Sequence, residues 1–126
     1  MANLSHLNRL LVLEDQALIL LDIEQTLSDA GVRDVLTATS SDEAKTIIAA
    51  GGLDAAILDL HLGDEWSYDV ANLLKKSGVP FVFSSGTVEV ADGFHDVPLV
   101  MKPFSADQLV AALLQVTADR DSVAAQ

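Results

Sequence analysis

The sequence predicts an α/β fold of the (βα)5 kind, a doubly wound, five-stranded parallel sheet with helices on both faces. Two observations carry this reading. Five short apolar runs, at residues 10–13, 35–38, 55–58, 81–83 and 99–101, recur along the 126 residues, and segments of helical period separate most of them. Runs of three or four residues without polar alternation belong to strands buried on both faces, which is the condition of a parallel sheet. Right-handed crossovers then put helices on either side of it.

The intervals can be taken in order. After the first run, Leu20, Ile23, Leu27 and Ala30 share one helical face, and Gly31 is placed to end that helix in a left-handed cap. Ser40 and Glu43 form a capping box for the second helix, with Ala44, Ile47 and Ile48 inward and Gly51-Gly52 as the stop. In the third, Val70, Leu73 and Leu74 line up before Gly78, and Trp66 is expected to start the helix as a packing residue. Ser105 and Gln108 box the start of the last helix, where Leu109, Ala112, Leu113 and Val116 follow at i, i+3, i+4 and i+7. The fourth interval differs. Residues 87–97 hold no sustained stripe, so at most one or two turns of helix are expected there, in a mobile loop. Residues 119–126 read as a frayed tail, leaving one domain over 1–126 with a core of about 8–118.

Composition narrows the function. Lys and Arg number 7 against 19 Asp and Glu, a formal net charge of −12. A field of that sign repels phosphate backbones and anionic lipid, so neither nucleic acid nor membrane is an expected partner. There is no cysteine, hence no disulfide, thiolate nucleophile or thiolate-bound metal. The apolar runs are far shorter than a membrane span, and residues 1–8 lack the pattern of a signal peptide, so a cytoplasmic protein is expected.

In an open α/β sheet, ligands bind beyond the carboxyl ends of the strands. The residues at those ends are Glu14-Asp15 after the first run, Asp59 after the third, Ser84-Ser85-Gly86 after the fourth and Lys102-Pro103 after the fifth. An acidic pair is not informative by itself, because there are three. Asp42-Glu43 suits the first turn of a helix, and Asp64-Glu65 suits a solvated loop. Glu14-Asp15 directly ends a buried strand, where like charges are costly: two unit charges 4 Å apart repel by about 4 kcal/mol at an effective dielectric of 20. Three clustered carboxylates call for a cation, and oxygen donors without cysteine suit Mg²⁺.

The joint pattern of Glu14-Asp15, Asp59, Ser85 and Lys102-Pro103 resembles the receiver domain of bacterial response regulators, the CheY-like variant of the flavodoxin-like topology, over about residues 8–118. The stretch Pro80-Phe81-Val82-Phe83-Ser84-Ser85-Gly86 further resembles single-domain receivers with a Phe-x-Phe-small-Ser/Thr-Gly fourth strand. The resemblance implies that Asp59 accepts a phosphoryl group. Asp15, Asp59 and the backbone carbonyl of His61 would hold Mg²⁺ directly, and Glu14 through water. Ser85 and Lys102 would each contact a phosphoryl oxygen, and Lys102-Pro103 would be cis. Such a protein is a phosphoacceptor that catalyses its own phosphorylation and dephosphorylation, rather than an enzyme in the usual sense. Its donor would be a sensor histidine kinase or a histidine phosphotransfer protein. Because no output domain follows residue 118, a separate downstream target protein would read the signal.

Two positions depart from the family pattern. Leu99 stands where an aromatic switch residue is common, three before the lysine. His61 either contributes only its carbonyl from a loop or uses its ring to influence water access. His6 and His95 read as solvated. The rival is a degenerate receiver that binds a partner without phosphorylation. A flavodoxin-type cofactor site is disfavoured, since Glu14-Asp15 would repel the cofactor phosphate, and a phosphatase Asp-x-Asp is absent from the first strand.

Overall fold

The order of strands across the sheet is what brings the distant carboxylates together. In this computed structural model, residues 3–125 are described, with side chains as far as residue 118. In chain order the elements are β1 (Arg9–Leu13), α1 (Ala17–Asp29), β2 (Asp34–Ala38), α2 (Ser41–Ala50), β3 (Ala55–Asp59), β4 (His61–Leu62), β5 (Glu65–Trp66), α3 (Tyr68–Ser77), β6 (Phe81–Ser85), β7 (Leu99–Met101) and α4 (Ala106–Ala125). The main sheet runs β2-β1-β3-β6-β7, and its four pairings are all parallel. The chain order reverses at β1 and β3, so the carboxyl ends of these two strands flank the switch point where such sheets bind ligands.

Side-chain alternation along the strands sorts the core into two layers. Leu11, Leu13, Leu58, Phe81 and Phe83 face α2 and α3, with Ala44, Ile48, Val70 and Leu74 packed on them. Leu10, Val12, Ile57, Val82 and Val100 face α1 and α4, against Leu20, Ile23, Leu27, Leu109 and Leu113. The expected helical faces therefore point inward. The core also reaches back to Leu4 and Leu7, ahead of the start expected at residue 8, and the Leu4 N–H donates to the Ala30 carbonyl at 2.7 Å.

Capping follows the residue types. Gln108 N–H donates to Ser105 Oγ (3.1 Å) while Ser105 N–H donates to Gln108 Oε1 (2.8 Å), a reciprocal box at the start of α4. At α2 only half of the box forms. Glu43 N–H donates to Ser40 Oγ (3.2 Å), but the Glu43 carboxylate turns to the N–H and hydroxyl of Thr39, at 3.2 and 2.6 Å. Gly31 takes φ 103° just past α1, a value that favours glycine.

One expectation is revised and two are refined. First, the interval between β6 and β7 stays within the expected limit of one or two turns of helix: among the described residues, 86–98 run as bends and turns. That loop nevertheless carries an anchor, because Phe94 is buried against Phe83 and Tyr68. Val90 and Val97 stand at helical spacing from Phe94 and pack on the same core layer, although the loop between them is not helical. Second, Trp66 does not start α3. It lies on β5 in a two-stranded hairpin with β4, is 53% exposed, and stacks on Tyr68. Third, His6 is exposed yet its Nε2 lies 3.1 Å from the Oγ1 of buried Thr117 on α4. The stretch expected as a tail, residues 119–126, lies outside the residues whose side chains are described, although the backbone of α4 continues to Ala125.

Candidate functional site

β1, β3, β6 and β7 all end at the same edge, and the four strand-end residues expected there meet. Glu14 follows β1 directly and is fully buried, whereas Asp15, one residue on, points to the exposed rim. Asp59 closes β3 and is 4% exposed, and Ser85 closes β6 and is buried. Lys102 follows β7 and lies between the acids. Its Nζ donates to Glu14 Oε1 at 2.9 Å and to Asp59 Oδ2 at 3.2 Å. The next peptide, Lys102-Pro103, is cis.

Each acid has backbone support. The Gln16 N–H donates to Glu14 Oε2 (3.1 Å), and the His61 N–H donates to Asp59 Oδ1 (3.3 Å). Ser85 Oγ accepts the Thr87 N–H at 3.1 Å. The His61 ring is exposed and stands edge-on to Trp66, with centroids 4.5 Å apart. His95 pairs with Asp92 at the surface, away from the strand-end cluster.

Electrostatics of the cluster are set first by burial. Removal from water pushes the Glu14 carboxyl above its usual range, and the nearby Asp59 charge adds to the push. Hydrogen bonds from Lys102 and Gln16 hold it back only in part. For Lys102, burial acts to lower the ammonium's value. The hydrogen bond to Glu14 and the fields of Asp59 and Glu14 outweigh that and leave it raised. Desolvation is thus a larger cause of the Glu14 shift than repulsion by the neighbouring acid.

Glu14, Asp15 and Asp59 each offer a carboxylate oxygen, and these atoms all lie within 4.8 Å of one another. An all-oxygen donor set with one member at the exposed rim fits a hard divalent cation such as Mg²⁺. Nothing in the sequence pattern singles out Ser67. It is fully buried, and its N–H and Oγ both donate to the Leu60 carbonyl, at 3.1 and 3.2 Å, which fixes the chain immediately after Asp59.

Comparison with known proteins bears on this arrangement. The chain is similar to SdrG from Sphingomonas melonis Fr1, with 36% identity, a TM-score of 0.80, and coverage of 90% of this chain and 98% of that one. It is also similar to a response regulator receiver protein from Sinorhizobium medicae WSM419, with 28% identity, a TM-score of 0.80, and coverage of 90% and 96%. This chain belongs to the receiver domain family of response regulators. A curated relative of the receiver is the transcriptional regulatory protein YvrH of Bacillus subtilis (strain 168), 26% identical over 110 residues, which are 82% of this chain and 46% of that protein. The receiver spans about half the length of the curated relatives it matches. No protein-family model matches it. As a receiver it is a signalling module of two-component systems rather than a classical enzyme. Among its described residues, no helix is long and apolar enough to cross a membrane.

Proposed function

We propose that the receiver accepts a phosphoryl group on Asp59 from a sensor histidine kinase or a histidine phosphotransfer protein, and signals by binding a target protein in the cytoplasm. The observation that carries this reading is the position of Lys102, whose ammonium bridges Glu14 and Asp59 at 2.9 and 3.2 Å.

The chemistry follows from the residues. Asp59 is buried and held from one side by the His61 N–H, so one carboxylate oxygen is oriented while the other faces Lys102. That oxygen attacks phosphorus; an oxygen–phosphorus bond forms, the bond from phosphorus to the donor's nitrogen breaks, and the donor imidazole keeps the electron pair. Lys102 is placed to follow the charge from the Asp59 oxygen to an oxygen of the transferred group, and Ser85 Oγ to donate to another. The transition state of such a transfer is loose, so positioning and charge supply most of the rate. Asp15, Asp59 and the His61 carbonyl would hold Mg²⁺, with Glu14 acting through water, and when bound the ion supplies charge neutralisation on the phosphoryl oxygens.

Acetyl phosphate with Mg²⁺ tests the assignment. Intact-mass spectra should show one added phosphoryl group in the parent and none in Asp59→Asn, which should keep its fold. Undiminished labelling of Asp59→Asn overturns the acceptor assignment. A parent that takes no label under conditions that label another receiver would favour the degenerate, phosphorylation-independent binding module.

A further inference from the structure

The loop between β6 and β7 is held very unevenly. At its start, the Thr87 N–H donates to Ser85 Oγ at 3.1 Å. Residues 88–90 then make no hydrogen bond among the described residues; Val88 is 72% exposed, whereas Val90 is half-buried against the core layer that holds Phe94. From residue 91 onward the loop is fastened to α3. The Ala91 N–H donates to the Tyr68 hydroxyl at 2.8 Å, and Lys75 Nζ donates to the Gly93 carbonyl at 2.6 Å. Lys75 Nζ also stands 4.4 Å from the centroid of the Phe94 ring, which packs on Tyr68 and Phe83 with centroids 5.1 and 5.9 Å away. Two internal bonds, Phe94 N–H to the Ala91 carbonyl and Val97 N–H to the Phe94 carbonyl, close this second half on itself.

Tyr68 is in turn tied to the site. It directly follows Ser67, whose N–H and hydroxyl both bond the carbonyl of Leu60, the residue after Asp59. The exposed stretch is therefore referenced at both ends to the edge that carries Asp59, through Ser85 on β6 and through Tyr68 at the head of α3.

We infer that Tyr68 is a positioning residue that divides this loop, so that residues 86–89 move when the site is occupied while residues 90–98 stay fixed. The inference rests on the proposed role of Asp59. If Ser85 Oγ turns to donate to a phosphoryl oxygen, the Thr87 N–H keeps its acceptor only by following that oxygen. Gly86 presents no obstacle, since a Cβ there would meet nothing within 4 Å. Movement travelling along the chain then reaches Ala91, where the Tyr68 hydroxyl stops it. The outcome is a short displaced stretch presenting Val88, rather than rearrangement of the whole loop, and it needs no rotating aromatic at Leu99. Opening a stretch with few internal bonds costs little, which makes it the natural moving part.

Amide hydrogen exchange with and without beryllofluoride and Mg²⁺ tests this, with occupancy of Asp59 read by fluorine NMR. In the parent, changes should be confined to residues 86–89, and the amides of Phe94 and Val97 should be unaffected. Tyr68→Phe keeps the ring contacts and removes only the acceptor of the Ala91 N–H. Without any ligand its Ala91 amide should exchange about five- to tenfold faster, while amides in α4 report that the fold is intact. With beryllofluoride the change should spread into residues 91–97. Absence of bound beryllofluoride overturns the acceptor reading, and the motion with it. A parent that changes evenly across 86–98 with Asp59 occupied overturns the division alone. Exchange at Ala91 identical in Tyr68→Phe and the parent overturns the role of Tyr68, whether or not the ligand binds.

Discussion

Lys102 Nζ lies 2.9 Å from Glu14 Oε1, although 88 positions separate them in sequence, and the carboxylate it meets has no exposed surface. The two groups carry opposite formal charges, yet both are shifted upward. Burial dominates at Glu14, whereas the surrounding acids dominate at Lys102. Their linkage to pH therefore falls in different windows. A raised Glu14 contributes stability that is fully present below the ordinary value of 4.5 and is lost as pH rises through its folded value. A raised Lys102 contributes stability that is fully present below 10.5 and is lost as pH rises through its own folded value.

Lys102→Met should destabilise the protein at pH 7 by about 3 kcal/mol, because it leaves two buried carboxylates without their cation. Urea denaturation gives the number. At pH 4, where Glu14 is protonated in the folded state, the loss should be smaller. A loss that is the same at both pH values would show that Lys102 acts by packing instead of charge.

Glu14→Gln keeps one oxygen, which can accept from Lys102 while the contact at the Gln16 N–H is lost, and it cannot ionise. Relative to the parent, it should gain in melting temperature as pH rises from 4 to 7, since only the parent must then ionise a desolvated group. Parallel melting curves for the two proteins across that range would argue against desolvation as the cause of the Glu14 shift.

Mg²⁺ should stabilise the parent. At ten times its dissociation constant, an ion bound only by the folded state adds about 1.4 kcal/mol. Asp15 supplies the exposed oxygen of the cluster, so Asp15→Asn should lose most of that gain. Equal stabilisation of both proteins by Mg²⁺ would place the ion elsewhere.

The two halves of the β6–β7 loop should also differ in stability. Phe94→Ala removes a buried ring and should cost about 3 kcal/mol. Val88→Ser, at an exposed position, should stay within about 0.5 kcal/mol of the parent. Chemical denaturation of both variants checks the contrast, and comparable losses would mean that Val88 is packed in solution.

The strand-end residues were legible in the sequence because parallel strands carry two signals at once. An unbroken apolar run marks each strand, and the first polar residue after it marks the edge where ligands bind. Glu14, Asp59 and Lys102 could be placed that way, and Ser85 as the second residue of the Ser84-Ser85 pair. The β6–β7 loop could not. Phe94 has Val90 and Val97 at helical spacing, but Asp92, Gly93, His95 and Asp96 break the run and no helix forms, so the local pattern does not separate a buried anchor from an exposed aromatic. Trp66 was misplaced for a related reason, since a large aromatic beside a helix start reads as core, whereas a hairpin two residues per strand leaves no periodic trace.

By itself, then, the sequence determined the five strands of the main sheet, the helical faces of α1, α2, α3 and α4, and which polar residues stand at the carboxyl edge of that sheet, because these depend on local periodicity and chain order. Tertiary structure decided the rest. Whether Glu14 is hidden while Asp15 is exposed, which acids Lys102 bridges, and how Tyr68 and Lys75 fasten the loop all depend on where separate elements meet. Such contacts are fixed by packing across many positions of sequence, and no local pattern encodes the distance between two side chains brought together only by the fold.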